Sequence, residues 1–438
     1  MFSDNIANVL LADNPWLEGA DPVEWVSRRI PSPFVERTTS VTLDSERVTL
    51  VVGPRQAGKS TLIWKTILGD TAPCLYVNCE EPSIADGLTS PALFLQGLDD
   101  LVPRGTTVFF EEIQRLGEAG LFLKGLVDRK PPYRFVATGS SSYDLDARTR
   151  ESLAGRADRT LLLPLSLAEI SPTRGVLPLV ARQREGDAAR AMAVYGGYPA
   201  VHLGPNKEAA LTGLVESFVI RDASDRFRIR HTSSFRTLLE LMASQVGNLC
   251  NFSKWAEVAG ISADTVRDYA DILDETHIVR LVRPFAGGKR AEITSAPKVY
   301  FVDNGIRNRL FGGFAPLGGR ADRGALVENL AFAELLKCTN PLLDGIRFWR
   351  SKGGAEVDFV VERSGDLFGL EIKAGRMGRG LSRGARSFIE AYSPRRFWLI
   401  GEGDGEDFRI GETEVGFARV GDLRRLLGEN GSGTSTCP

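Results

Sequence analysis

No run of 18 apolar residues occurs in the 438-residue sequence, and Met1 to Glu18 lack a basic start followed by a long apolar core. Membrane spanning, a membrane partner and secretion are therefore not expected. Cysteine is scarce. The five, Cys74, Cys79, Cys250, Cys338 and Cys437, are odd in number, scattered and never spaced as CxxC, which argues against a disulfide framework or a zinc site and points to a reducing cytoplasm. Neither sign of charge is in excess: 54 Lys and Arg stand against 56 Asp and Glu, a net charge of −2. That excludes a protein coated in positive charge for nucleic acid and leaves only local patches. One patch holds Arg221, Arg226, Arg228, Arg230 and Arg236; another holds Lys373, Arg376, Arg379, Arg383 and Arg386 with no acid among them. The length suits roughly three domains of about 150 residues, and 43% hydrophobic residues are ample for several cores.

Against this background, residues 53 to 61 stand out: Gly53, Pro54, Arg55, Gln56, Ala57, Gly58, Lys59, Ser60 and Thr61, placed after the apolar run Val48 to Val52 and leading into a helical stretch that begins at Thr61. Backbone N–H groups can wrap phosphates closely only where glycines let the chain curl, here at Gly53 and Gly58. Lys59 is placed to reach the β- and γ-phosphates and Ser60 to hold Mg²⁺, with the positive end of the following helix aimed at the anion. ATP and Mg²⁺ are the expected cofactors.

Short buried-strand patterns follow at Cys74 to Val77, at Thr106 to Phe110, and at Tyr133 to Thr138. Leu116 to Asp128 is the clearest helical segment between them. This rhythm predicts a parallel α/β sheet with ligands at the carboxyl ends of its strands. Glu111 and Glu112 end the second pattern, and hydrolysis needs one carboxylate to support Mg²⁺ and the next to orient or deprotonate the attacking water. Glu111 takes the first role, although Asp is the usual residue there, and Glu112 the second. Ser140 at the tip of the third strand is placed to sense the γ-phosphate. Arg156 could stabilise transition-state charge in its own subunit or in a neighbour, with Arg150 as its competitor; action across subunits would require a homo-oligomer.

Asn14-Pro15-Trp16, the phosphate loop, Glu111-Glu112-Ile113-Gln114, Thr138-Gly139-Ser140-Ser141, Ala154-Gly155-Arg156 and Leu163-Pro164-Leu165-Ser166 together resemble the prokaryotic AAA-type ATPases that carry a C-terminal domain of formerly unknown function. The resemblance implies an AAA+ P-loop core over 41–167, after an N-terminal segment 1–40, and then a helical lid over 168–230. Gly196-Gly197-Tyr198-Pro199 and Pro297 to Gly305 carry the same likeness.

Leu238 to Val246 and Phe252 to Ala259 read as helices. Gly260 stops the second, and Ser262 opens a third over Ala263 to Leu273. Helix, glycine-containing turn and helix make a helix-turn-helix, and strand patterns at Ile278 to Arg283 and Val299 to Val302 complete a winged helix over 231–305. Its third helix would lie in a DNA groove or, alternatively, the module packs between domains. Asp264, Asp268 and Asp271 beside the single Arg267 make a poor face for phosphates.

In the last region, 321–425, Glu328 falls on a helix over Leu326 to Lys337, Asp358 precedes a strand at Phe359 to Val361, and Glu371 and Lys373 share one face of a short strand. Glu, Asp and then Glu-x-Lys form the PD-(D/E)xK constellation of restriction-endonuclease-like nucleases. Asp358 and Glu371 would bind Mg²⁺, Glu328 would support the same or a second ion, and Lys373 would position the attacking water. Two readings remain open: a nuclease acting on DNA or RNA under nucleotide control, and a nucleotide-operated switch that binds a DNA or protein partner through a retired nuclease fold. The tail, 427–438, reads as disordered.

Overall fold

The computed structural model describes residues 2–139, 153–173, 175–216, 229, 231–287, 296–339, 344–377, 380–403 and 405–428. The chain divides into two compact units, Met1–Pro164 with Glu275–His277, and Leu165–Asp274 with Ile278–Pro438. The described residues of the regions read from the sequence as lid, helix-turn-helix and C-terminal α/β domain fall in the second unit, apart from Glu275–His277. The basic run from Arg221 to Arg230 and the tail from Glu429 lie outside the described residues.

The first unit is built on five parallel strands, β1 (Val48–Val52), β2 (Cys74–Asn78), β3 (Thr107–Glu111), β4 (Arg134–Gly139) and β5 (Ala157–Leu161), in the order β2-β3-β4-β1-β5. A parallel sheet is covered on both faces, so its central strands are apolar throughout, and every residue of β1 is buried. Successive side chains go to opposite sides. Leu75, Val77, Val108 and Phe110 pack with helices α1 (Asp4–Asp13), Pro91–Leu101 and Ala119–Val127, while Tyr76, Phe109 and Val136 pack with Lys59–Leu68. The segment between Glu112 and Asp128 is broken: a single 3₁₀ turn at Ile113–Arg115 precedes the helix, which starts only at Ala119.

β2 is an edge strand, and an edge leaves backbone groups unpaired. Here the Asn14 amide closes it. Its Nδ2 donates to the Tyr76 carbonyl at 2.8 Å, and its Oδ1 accepts from the Tyr76 N–H at 2.6 Å. Trp16 Nε1 donates to the Cys74 carbonyl at 2.8 Å. Trp25 meets Trp16 and Trp64 edge-on, with the Arg29 guanidinium 3.5 Å above its ring. The Asn-Pro-Trp motif is therefore an edge cap, and residues 1–40 belong to the sheet unit.

In the second unit, the helix Thr232–Ser244 precedes Phe252–Ala259 and Ala263–Glu275, and β6 (Val279–Val282) pairs antiparallel with β7 (Lys298–Phe301). Asn251 caps the second helix by accepting from Lys254 N at 3.0 Å, Gly260 ends it at φ 67°, and Ser262 accepts from Thr265 N at 3.1 Å. A second sheet has the order β12-β13-β11-β10-β9-β8, from β8 (Gly345–Arg350), β9 (Glu356–Arg363), β10 (Asp366–Arg376), β11 (Arg396–Glu402), β12 (Phe408–Ile410) and β13 (Thr413–Ala418). β8, β9 and β10 form an antiparallel meander, whereas β10, β11 and β13 run parallel. Because β9 starts at Glu356, Asp358 lies inside a strand and not ahead of one.

The Gly-Gly-Tyr-Pro and Asp-Asn-Gly motifs meet in this unit. The fully buried Asp303 carboxylate accepts from the N–H groups of Gly197 at 2.7 Å, Gly305 at 2.8 Å and Ile306 at 3.2 Å. A side chain at Gly196, whose φ is 71°, would place its Cβ 2.0 Å from Asp303 Oδ1. Asn304 donates to the Ala193 and Leu326 carbonyls, and Asn329 bridges Phe301 and Asn304. This network ties the helices Pro178–Tyr195, Asn304–Leu310 and Arg323–Cys338 to β7.

Asn14→Ala removes both partners of Tyr76 and should destabilise the first unit by about 1–3 kcal/mol, the cost of leaving buried polar groups unpaired. Hydrogen exchange should show the Tyr76 amide losing protection while amides of the second unit keep theirs.

Candidate functional site

β1 ends at Val52 between Gly139 of β4 and Leu161 of β5, so the loop that leaves it emerges among carboxyl ends of parallel strands. This is where an open α/β sheet binds ligands. Gly53 has φ 147°, and a Cβ there would stand 2.1 Å from the Leu162 carbonyl oxygen. No other residue type fits. Gln56 and Gly58 also take positive φ, 58° and 96°, and Gly58 serves as N-cap of the helix Lys59–Leu68. That helix begins two residues before Thr61, which places Lys59 and Ser60 in its first turn. The turn therefore presents its unpaired N–H groups and positive dipole end toward the loop.

Lys59 is buried, and its Nζ donates to the carbonyls of Gly53 at 3.1 Å and Pro54 at 2.9 Å. The ammonium is thereby held in the mouth of the loop. Arg37 fixes the loop from behind: Nη1 donates to the Ala57 carbonyl at 2.8 Å and Nη2 to the Leu163 carbonyl at 2.7 Å. Nothing in the sequence marks Arg37, because it lies in a segment without regular structure and its partners are backbone atoms. Arg55 reaches Glu80 at 3.8 Å, and Arg115 reaches the same carboxylate at 3.0 Å.

Glu111 closes β3 beside Asn78 at the end of β2. Its carboxylate accepts a hydrogen bond from the Tyr76 hydroxyl, and burial together with that carboxylate holds the phenol well above its usual pKa. Glu112 has φ 54°, its N–H donates to Thr138 Oγ1 at 3.1 Å, and its carboxylate accepts from Gln114 Nε2. The two carboxylates thus have separate partners and separate orientations.

Arg156 departs from one of its expected roles. Its carbonyl accepts from Val48 N at 2.9 Å, at the start of β1, and its guanidinium pairs with Asp128. The phosphate loop leaves the other end of that five-residue strand, about 16 Å away at ~3.3 Å per residue. The guanidinium is therefore held toward the opposite end of β1 from the loop. Ser140 and Arg150 lie outside the described residues.

On the helix Ala263–Glu275, Val266, Tyr269, Ala270 and Leu273 face inward. Arg267, the basic residue of that helix, pairs with Asp264 at 2.6 Å at the exposed surface.

In the C-terminal sheet, the β9–β10 register sets Leu370 opposite Phe359, and one further step sets Glu371 opposite Asp358. Asp358 Oδ2 accepts from the Ile372 N–H at 2.7 Å. Burial, with Glu328 and Glu371 nearby, pushes the Asp358 carboxyl up to about 7, and burial also lifts Glu328. Glu371 is engaged by Lys373 Nζ and by Ser382 Oγ, the latter at 2.8 Å. Glu328 Oε1 accepts from the Tyr300 hydroxyl at 2.5 Å and lies 3.7 Å from Lys298 Nζ, which also pairs with Glu356. The sequence-predicted residues Glu328, Asp358 and Glu371 are thus within electrostatic reach of one another, each with hydrogen-bond or ion-pair partners of its own. Among the described residues no three acidic, His or Cys side chains gather closely enough to hold a metal ion. The physical reason is that their oxygens already serve Lys298, Tyr300, Lys373, Ser382 and the Ile372 amide. Lys298 was not legible from the sequence because it comes from β7, outside the Glu, Asp, Glu-x-Lys pattern.

No helix among the described residues is long and apolar enough to cross a membrane, and the four described cysteines are free thiols. Residues 45–171 match the family described as AAA domain, while 186–317 and 323–416 match two domains of unknown function, DUF8612 and DUF4143. The DUF8612 match runs across the expected lid and helix-turn-helix without a break between them. An uncharacterised protein of Mycobacterium tuberculosis is 30% identical over 379 residues, covering 84% of this chain and 79% of that one. One of Methanocaldococcus jannaschii is 22% identical over 344 residues, covering 75% of each. A Walker-type ATPase of Pyrococcus abyssi is similar in structure with a TM-score of 0.38 and 14% identity, over 60% of this chain and 90% of its own.

The raised Asp358 carboxyl gives a signed prediction. Its folded pKa, about 7, lies above the unfolded value near 4, so the folded state holds the extra proton between them. The resulting stability is present below about pH 4 and is lost as pH rises through about 7. Urea denaturation in chelator should show the wild type losing stability over that interval relative to Asp358→Asn.

Proposed function

The chain belongs to the family of AAA-domain proteins that includes the mycobacterial relative, and from that premise we propose that it hydrolyses ATP with Mg²⁺ at the phosphate loop and uses nucleotide state to govern nucleic-acid engagement by its second unit. The conformation of Gly53 to Ser60 carries the first half. The backbone there is closed to any side chain at Gly53, the helix dipole ends at the loop, and a buried lysine is held in its mouth. The loop's N–H groups and Lys59 bind the phosphates, and Ser60 and Glu111 hold the ion, which when bound supplies charge neutralisation at the phosphate oxygens. Glu112 orients or deprotonates the attacking water, with Gln114 and Thr138 fixing the carboxylate and the backbone of that residue. Tyr76 fixes the longer Glu111 side chain, which offsets the freedom that one extra methylene brings relative to Asp.

For the second half, Arg383 and Arg386 stand exposed on the helix Arg383–Tyr392, where a phosphodiester backbone of DNA or RNA can meet them. The occupied carboxylates favour binding over cutting. A second reading, a protein partner docking on the winged-helix region, is favoured by the Arg267–Asp264 pair and the acidic face around it. Because Arg156 stands far from its own phosphate loop, a catalytic role for it requires a homo-oligomer in which it reaches a neighbour.

Lys59→Ala should abolish binding of a fluorescent ATP analogue. Glu112→Gln should retain that binding and trap ATP; full turnover in this variant would remove Glu112 from the base role. Arg156→Ala should leave ATP affinity unchanged and lower turnover at least tenfold, with wild-type turnover per chain rising with protein concentration. A concentration-independent rate would rule out action across subunits.

A further inference from the structure

Lys298 is unusual among the charged residues of the second unit. It opens β7, is 3% exposed, and its ammonium lies 5.3 Å from the centre of the Phe348 ring. A buried charge persists only where it is paired and hydrogen-bonded. Lys298 Nζ meets that demand inside the acidic cluster, bonded to Glu356 Oε1 and 3.7 Å from Glu328 Oε1, with Asp358 close enough to feel its charge. Arg350 stands 3.7 Å from the other oxygen of Glu356.

We propose that the Lys298 ammonium is the built-in counter-ion of Glu328 and Glu356 beside Asp358, so that the second unit takes no catalytic metal and engages nucleic acid without cutting it. Two observations carry this. Glu328 and Glu356 already have a positive partner within 4 Å, and a divalent ion shared with Glu328 would face like charge at that range. Further oxygens are engaged as well: both of Glu371 by Lys373 and Ser382, Asp358 Oδ2 by the Ile372 amide, and Glu328 Oε1 by Tyr300. A hard divalent cation requires several oxygens at about 2.0–2.6 Å, and at Glu371 either oxygen would have to give up a partner.

The last clause of the proposal rests on the reading of the second unit as the partner-binding one, but the metal test does not. Mn²⁺ titrated into the full chain without nucleotide, with free ion read by electron paramagnetic resonance, should give the same isotherm for the wild type and Asp358→Asn, because any ion at the phosphate loop is common to both. A wild-type site tighter than about 1 mM that weakens tenfold or more in Asp358→Asn overturns the proposal. Lys298→Met should gain Mn²⁺ binding at least tenfold over wild type. A folded Lys298→Met as indifferent to Mn²⁺ as the wild type also overturns it, and if that variant does not fold, the first comparison still decides. Nucleic-acid binding by wild type, measured by fluorescence anisotropy in chelator, separately tests the partner-binding reading.

Discussion

A carboxylate buried from water must find donors or lose its charge, and the second unit is arranged around one such group, Asp303. Its oxygens gather N–H groups from the Gly-Gly-Tyr-Pro turn and from the start of the helix Asn304–Leu310. The asparagines beside it carry the connection to the helices on either side. Burial still raises the Asp303 pKa, so its hydrogen bonds do not fully replace the lost water. Leu165 and Ser166 join the same framework: Ser166 and Glu169 form a capping box, and Glu334 and Lys337 bond the Leu167 amide and the Leu165 carbonyl. The first residues of the second unit are therefore held by side chains of the helix that also carries Glu328.

The phosphate loop and the acidic cluster each hold a buried lysine, among different partners. Lys59 donates to backbone carbonyls of the loop itself, and Lys298 pairs with carboxylates. The same residue type thus counts neutral acceptors among its partners in one place and charged ones in the other.

How much of this was legible in the sequence follows from the range of the interactions. The phosphate loop, the strand before it and the helix after it are local, dictated by glycines and an apolar run, and they stand as read. The three helices and ribbon of the middle region were also visible, since Asn251, Gly260 and Ser262 act on neighbours within three or four residues. Arg37, Asn14 and Lys298 were not legible in role, because their partners lie 20, 62 and 58 residues away and depend on how the sheets are assembled. Arg156 was visible as an arginine near an ATPase motif. Only the parallel register of β5 with β1 shows which end of the sheet it occupies.

The Asn14 cap has a meaning beyond the stability of its own strand. One amide side chain satisfies both backbone groups of Tyr76, so the outer edge of the five-stranded sheet offers no free pair there to template another strand. A second strand approaching along β2 would find Tyr76 already paired, so the cap works against sheet-to-sheet joining at that edge.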